Sequence, residues 1–485
     1  MALQDVEPFP TVTPGVNLDG GETGTVVRRR HRRRIKTAQG AALHRVLWLE
    51  PFWIGLLAPS LLFPGRFWVA AWQPALVLLL FVFWPLRAAL RRVDVPRLFG
   101  LPVGALLLAV AWAIAVSPVP AASWEAAGYF LFGVALALAL IQWPPVRERP
   151  SIVAGLLLAA GCAVAVAGPL LLGAMPFKFG LGTLIPAAGR LGGALSETVN
   201  PNVLGGALVI PFLLAAALAV GPRYTQQPWR LVWGLLAAAL LTVLLLTQCR
   251  GAYLGAAVGA VLLATIRWPR LAWVTVPMGA AGAAWILSGM GLSLVLDAMG
   301  GMTAHTGLSG RLAIWQFAWQ VAIASPLHGA GLGLFAAVQP YAAGSTPAPH
   351  AHNLLLQVTM DLGVLGLGAY AAVVAGVAAM LVRLLQHRPP MQRRRRHGAA
   401  PDLAGARPAA AHRPAGHAAA HHLSVAEVYR RRLHWTLALG ATAALAAMFV
   451  HGLVDAALWG NKMAFLPWLL FALAVSLYRC AKEPL

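Results

Sequence analysis

The chain has 485 residues, 59% hydrophobic and 11% charged, where a soluble protein carries roughly a quarter charged residues. This composition excludes a soluble globular enzyme and a disordered chain, and it predicts an all-α integral membrane protein. The formal charge of +22 invites a nucleic-acid partner, which its distribution along the chain, described below, excludes.

Residues 1–45 are polar, Pro/Gly-containing and then strongly basic. They read as a cytoplasmic segment without a cleavable signal peptide. A window of about 20 apolar residues crosses a bilayer as a helix. By that rule twelve spans are predicted, at 46–63, 67–86, 98–116, 124–143, 151–173, 201–220, 231–248, 251–266, 271–290, 351–382, 433–453 and 463–479. The run 231–266 needs a turn inside it, since one helix of that length would reach roughly 54 Å, far beyond a bilayer core. The turn is placed at Gln248-Cys249-Arg250-Gly251, which puts Arg250 at the outer surface.

With the N-terminus inside, all Lys and Arg fall in cytoplasmic segments except Arg66, Lys178, Arg190, Arg250, Arg311 and Lys462. That is the positive-inside pattern. The basicity records topology, and the run "RRRHRRRIK" (28–36) is placed to meet anionic membrane lipids as well. Membrane lipids are therefore the expected partners of the charge, and no nucleic acid is. The chain divides into a basic N-terminal segment (1–45), a membrane domain of spans 1–10 (46–386), a linker (387–432) and spans 11–12 with a short tail (433–485). The linker is a low-complexity Ala/Pro/Arg/His stretch unable to bury a core, and it reads as disordered. The longest external loop, 291–350, lies between spans 9 and 10. Within it Leu312, Trp315, Trp319 and Ile323 recur at helical spacing opposite Gln316 and Gln320. Both an interfacial helix on the outer leaflet and a core-packed helix suit that pattern. Cys162, Cys249 and Cys480 are too few and too scattered for a disulfide framework or a metal motif.

Polar residues gather where spans 6, 8 and 10 begin at the outer face: Arg190 and Asn200-Pro201-Asn202, then Arg250, then His350, His352 and Asn353. Each such helix N-terminus carries unpaired N–H groups and the positive dipole end. Asn200 is a good cap and Pro201 a good first-turn residue. Helix N-termini joined by arginines make an anion site, and the Arg fork suits phosphate. The competing reading of each arginine is a membrane-edge anchor; that of "HAHN" (350–353) is a structural loop or cap.

The run His352-Asn353, nine residues, Gly363, two residues, Gly366 (H-N-x9-G-x-x-G) resembles the signature of the bacterial O-antigen ligase superfamily, relatives of which are O-antigen polymerases and protein O-oligosaccharyltransferases. Arg250-Gly251-Ala252-Tyr253-Leu254 is similar to its R-x3-L element. "GRLGGALSETVNPNVLGG" (189–206) and "GRLAIWQFAWQVAIASPLHGAGLGLF" (310–335) are similar to further segments. The resemblance covers roughly 185–370, with a weaker likeness in "HGLVDAALWG" (451–460). It implies a fold of about twelve transmembrane helices in the bacterial inner membrane, with an active site facing the periplasm. The implied reaction is a metal-independent, cofactor-free glycosyltransferase step of lipopolysaccharide biosynthesis. A glycan would pass from undecaprenyl diphosphate to an acceptor hydroxyl, on the lipid A–core in the ligases, on growing polysaccharide or protein in the relatives. His352, with His350 as the other candidate, would take the hydroxyl proton. Arg250, Arg190 and Arg311, with Asn353 and Asn202, would hold diphosphate and glycan. At a helix N-terminus the dipole disfavours imidazolium, which keeps the ring able to accept a proton. A lipid-linked saccharide flippase is the alternative from another class. It would carry polar residues deep in several spans, whereas here they collect at one face.

Overall fold

The computed structural model describes residues 45–64, 66–90, 93–171, 199–222, 227–287, 308–338, 348, 350–388 and 424–482. Among these, every regular element is helical: α1 (Glu50–Leu62), α2 (Gln73–Leu79), α3 (Trp84–Ala89), α4 (Arg97–Ala115), α5 (Pro120–Gln142), α6 (Ser151–Leu171), α7 (Pro201–Val220), α8 (Gln227–Leu246), α9 (Arg250–Arg267), α10 (Ala272–Leu287), α11 (Leu308–Ala324), α12 (Leu354–Gln386), α13 (Val425–Gly452) and α14 (Phe465–Lys482), with a few shorter turns of helix between them. Of the expected linker (387–432), residues 389–423 lie outside the described residues, as do Lys178 and Arg190, while 425–432 are not disordered but form the start of α13.

Each of the twelve apolar stretches forms helix, but they are not equal. Among the described residues α4, α5, α6, α7, α8, α12, α13 and α14 are long and apolar enough to cross a membrane. The pair α9 and α10, bent by 118° at the break near Pro269, makes a ninth if it is one span. The stretch 46–63 shortens to α1, and 67–86 splits into α2 and α3, each opening on a proline in its first turn. Proline lacks the N–H that would continue the preceding helix, so Pro85 ends one segment and starts another. Large apolar side chains stand exposed on α4 (Leu101, Leu108, Trp112), α8 (Leu235) and α10 (Trp273). Such a continuous apolar exterior suits lipid.

α13 sits at the centre, packed on α7, α9, α12 and α14. Its contact with α9 follows from Gly251, Gly255 and Gly259, spaced one turn apart on a single helix face. A Cβ on Gly255 would stand 2.5 Å from the Ala447 carbonyl oxygen, and one on Gly259 2.8 Å from that of Ala443. In lipid, where apolar burial drives little association, such small-residue faces let backbones meet. Gly255→Ala is therefore expected to destabilise the protein by about 1–3 kcal/mol through overpacking. Gly279→Ala on α10, where a Cβ meets nothing within 4 Å, is the control. Thermal midpoints of the two purified variants in one detergent check this; equal midpoints would reject the close-packing account.

α12 is not the straight span its apolar run suggests. Gly363 breaks it with φ +68°, and the segment 326–330 docks into the break. Ala330 N–H donates to Met360 O (2.8 Å) and Val364 N–H to Pro326 O (2.8 Å). A Cβ at Gly363 would meet Leu327 backbone at 2.3 Å, so the first glycine of the H-N-x9-G-x-x-G run is required by both conformation and space. The docked segment leads back to α11. The buried side of α11 is Ile314, Ala318 and Ala322, packed with Phe335, Ala351 and Met360. The predicted stripe divides differently: Trp315 is half-buried, while Leu312, Trp319 and Ile323 face outward.

Candidate active site

The segment 350–353 is held from below by α12. Asn353 caps that helix, its Oδ1 accepting from Leu356 N–H at 3.0 Å, while its Nδ2 donates to Leu453 O at 3.0 Å and ties the cap to the end of α13. One turn into α12, Gln357 Oε1 accepts from Ala351 N–H (2.8 Å), and its Nε2 donates to Asp361 (3.1 Å), which also accepts from Trp459 Nε1 (2.8 Å). Between these supports His352 takes φ +49°, a backbone state rare outside glycine that collects at functional sites. The turn stacks the two imidazoles edge to face, centroids 4.4 Å apart.

Asp455 meets both rings. It lies in the turn after α13, its own N–H bonded to His451 O, and is 3% exposed. Oδ2 accepts from Asn202 Nδ2 (2.6 Å) and Oδ1 from Ala456 N–H (2.8 Å). The same Oδ1 stands 3.4 Å from His350 Nε2 and 3.5 Å from His352 Nδ1, longer than a good hydrogen bond. His350 Nδ1 accepts from His352 N–H at 3.3 Å. Burial pushes His350 down to about 4, and Asp455 only partly offsets it; the ring is neutral near pH 7. Burial alone would raise Asp455, but its contacts with His352, His350 and His451 outweigh that and hold it below the usual carboxylate range.

The remaining sequence candidates fall around this cluster in different ways. Asn200 caps α7 as expected, accepting from Asn202 N–H at 2.8 Å, which aims Asn202 at Asp455. Asn202 and Asn353 thus have protein partners. Arg250 opens α9 right after the turn predicted there, where Gln248 has φ +53°. Its neighbour Cys249 caps α9 and lies 3.6 Å from His451 Nε2, so Arg250 shares the end of the bundle that holds Asp455. Arg311, half-buried on α11, is near enough that its charge opposes protonation of His350. Sequence reasoning missed Asp455, His451, Gln357, Asp361 and Trp459. The likeness in 451–460 is the signal for His451, Asp455 and Trp459, and Gln357 and Asp361 lie inside the H-N-x9-G-x-x-G run as unspecified positions. A cavity of about 390 Å³ opens beside His350, lined among others by Glu125, Tyr129, Asn200, Asp361, Trp459 and Asn461. Carboxylate, amide and aromatic groups together suit a sugar ring.

A buried carboxylate thus stands beside two imidazoles, at the start of one apolar, membrane-length helix and the end of another, and such a group has the chemistry to exchange a proton. Residues 235–371 match the family model described as O-antigen ligase. The matched stretch runs from within α8 through α9, α10, α11 and the histidine segment into α12, and it supports the resemblance to the O-antigen ligase superfamily. No curated protein matches the chain.

Proposed function

We propose that the protein transfers a glycan from undecaprenyl diphosphate to an acceptor hydroxyl at the periplasmic face of the bacterial inner membrane, in a twelve-span topology, with the lipid A–core as acceptor. The observation that carries this reading is the division of labour between the two histidines. His350 has one ring nitrogen accepting from His352 N–H and the other turned to Asp455, so it has no nitrogen left for a substrate. His352 turns Nδ1 to Asp455, which favours the tautomer with its proton there and leaves Nε2 as the base, the orientation logic of a His–Asp pair. Among the described residues His352 Nε2 has no hydrogen-bond partner.

In the step itself the acceptor oxygen bonds to C1 of the donor sugar while the C1–O bond to diphosphate breaks and its electron pair leaves with the diphosphate. His352 Nε2 takes the hydroxyl proton. Arg250, Arg311 and Arg190 stabilise the growing phosphate charge. Asn202 and Asn353 position Asp455 and the histidine loop rather than touch the glycan.

The test is purified protein given lipid-linked glycan with lipid A–core, with more lipid-linked glycan, or with a hydroxyl-bearing protein. Product on the lipid A–core supports the ligase reading, a longer lipid-linked chain indicates a polymerase, and glycosylated protein the third branch. Movement of the donor across vesicles without any transfer would overturn the enzyme reading. Arg250→Ala is expected to cost on the order of 2–4 kcal/mol in the transition state, as for other charge-stabilising donors. Arg250→Lys should fall between, since a point charge lacks the fork. Near-normal transfer by the Ala variant would return Arg250 to the anchors.

A further inference from the structure

We propose that His350, His352 and Asp455 form a site for a divalent transition-metal ion of the zinc class, and that the ion inhibits the enzyme. Nε2 of His350 and Nδ1 of His352 are buried, aimed at Asp455 and without a hydrogen-bond partner. With Asp455 oxygen they form a group whose ligand atoms all lie within 4.8 Å of one another. The two distances to Asp455 Oδ1, 3.4 and 3.5 Å, are long for hydrogen bonds. They match the edge of a tetrahedron, because two ligands each about 2.0–2.1 Å from zinc lie about 3.4 Å apart. Two imidazoles and a carboxylate suit zinc, copper and nickel and suit calcium or magnesium poorly.

The carboxylate and the histidine loop are held in place from outside the cluster. Asn202 holds the second oxygen of Asp455, Gln357 holds Ala351 N–H between the rings, and Asn353 fixes the following turn. Three protein ligands leave one coordination position open, on the side where His352 is partly exposed. Ligation at His350 Nε2 moves that ring's proton to Nδ1, at the loss of the 3.3 Å hydrogen bond from His352 N–H. Ligation at His352 Nδ1 likewise leaves the neutral ring's proton on Nε2, where the base lone pair was. Metal binding therefore converts the base into a hydrogen-bond donor. This inhibition rests on the proposed function; the binding site does not.

The experiment uses the full chain, stripped with a chelator. His387, His397, His412, His417, His421 and His422 are replaced by alanine so that the linker histidines cannot bind metal. Titration with Co²⁺ should give the visible absorption of a low-symmetry four-coordinate ion at one equivalent, reversed by Zn²⁺. His350→Ala and Asp455→Asn should each weaken binding at least tenfold. X-ray absorption of the zinc-loaded protein, which needs no site variant to fold, should show imidazole in the first shell. A first shell without imidazole, or affinity unchanged in both variants, overturns the site. Glycan transfer should fall at least tenfold as Zn²⁺ fills the site and return on chelation. Bound zinc with undiminished transfer, where His352→Ala is inactive, overturns the inhibition. Bound zinc with His352→Ala fully active instead overturns the base role while the metal site stands.

Discussion

Replacement of His352 by alanine is expected to slow glycan transfer about 10²–10⁴-fold, the usual contribution of a positioned general base, while donor binding and membrane insertion stay intact. The separation of binding from chemistry follows from where the residue sits. Its side chain reaches Asp455, but the loop is fixed by other atoms, with Ala351 N–H on Gln357 and the Asn353 cap on Leu356 N–H. Alanine at φ +49° meets a backbone cost similar to histidine's, so fold stability should change little. His350→Ala should behave in the opposite sense. It removes a buried ring that supports His352 N–H, and it should lower thermal stability more than it lowers the rate of the molecules that remain folded. Rates measured at saturating donor, with donor affinity from a separate binding assay, decide it. A His352→Ala variant that transfers normally beside an inactive, folded His350→Ala would move the base to the other ring.

Part of this site was legible in the sequence because its signals are local. Asn200-Pro201 announces a helix start within three residues, and the Gln248–Arg250 turn follows from an apolar run too long for one helix. The His-Asn cap of α12 lies within the motif. Asp455 was not legible in that way. It is far along the chain, in a turn with no periodicity, and it reaches the histidines only because α9 and α12 both pack on α13. The α9 glycine face that sets this packing reads in sequence as ordinary small residues. The break in α12 was hidden for a related reason: glycine inside an apolar run is common, and only the docked segment at 326–330 shows why Gly363 must take a positive φ. On α11 the apolar period correctly gave a helix but did not choose its buried face. In a membrane protein both the lipid side and the protein side are apolar, so Leu312, Trp319 and Ile323 could not be told from Ile314, Ala318 and Ala322 by hydropathy.

Asp455→Asn is the second large effect expected, a loss of about 10²–10⁴-fold by analogy with other His–Asp pairs in which the amide admits the wrong tautomer. The geometry makes this isosteric change severe. Asp455 Oδ2 accepts from Asn202 Nδ2 and Oδ1 accepts from Ala456 N–H, so an amide NH₂ meets a donor whichever way it turns. If it replaces Oδ2 it opposes Asn202. If it replaces Oδ1 it opposes Ala456 N–H and faces both imidazoles, offering His352 Nδ1 a donor and driving its proton to Nε2, where the base is needed bare. The reciprocal change separates structure from catalysis. In Asn202→Asp/Asp455→Asn the new amide can donate to the carboxylate at 202 and keep its oxygen for Ala456 N–H, so thermal stability should recover. The charge is then displaced from the rings by one side chain, and the rate should recover only in part. Full recovery of the rate in the double variant would mean that the carboxylate at 455 serves the fold alone, and that His352 needs no anion beside it to act as the base.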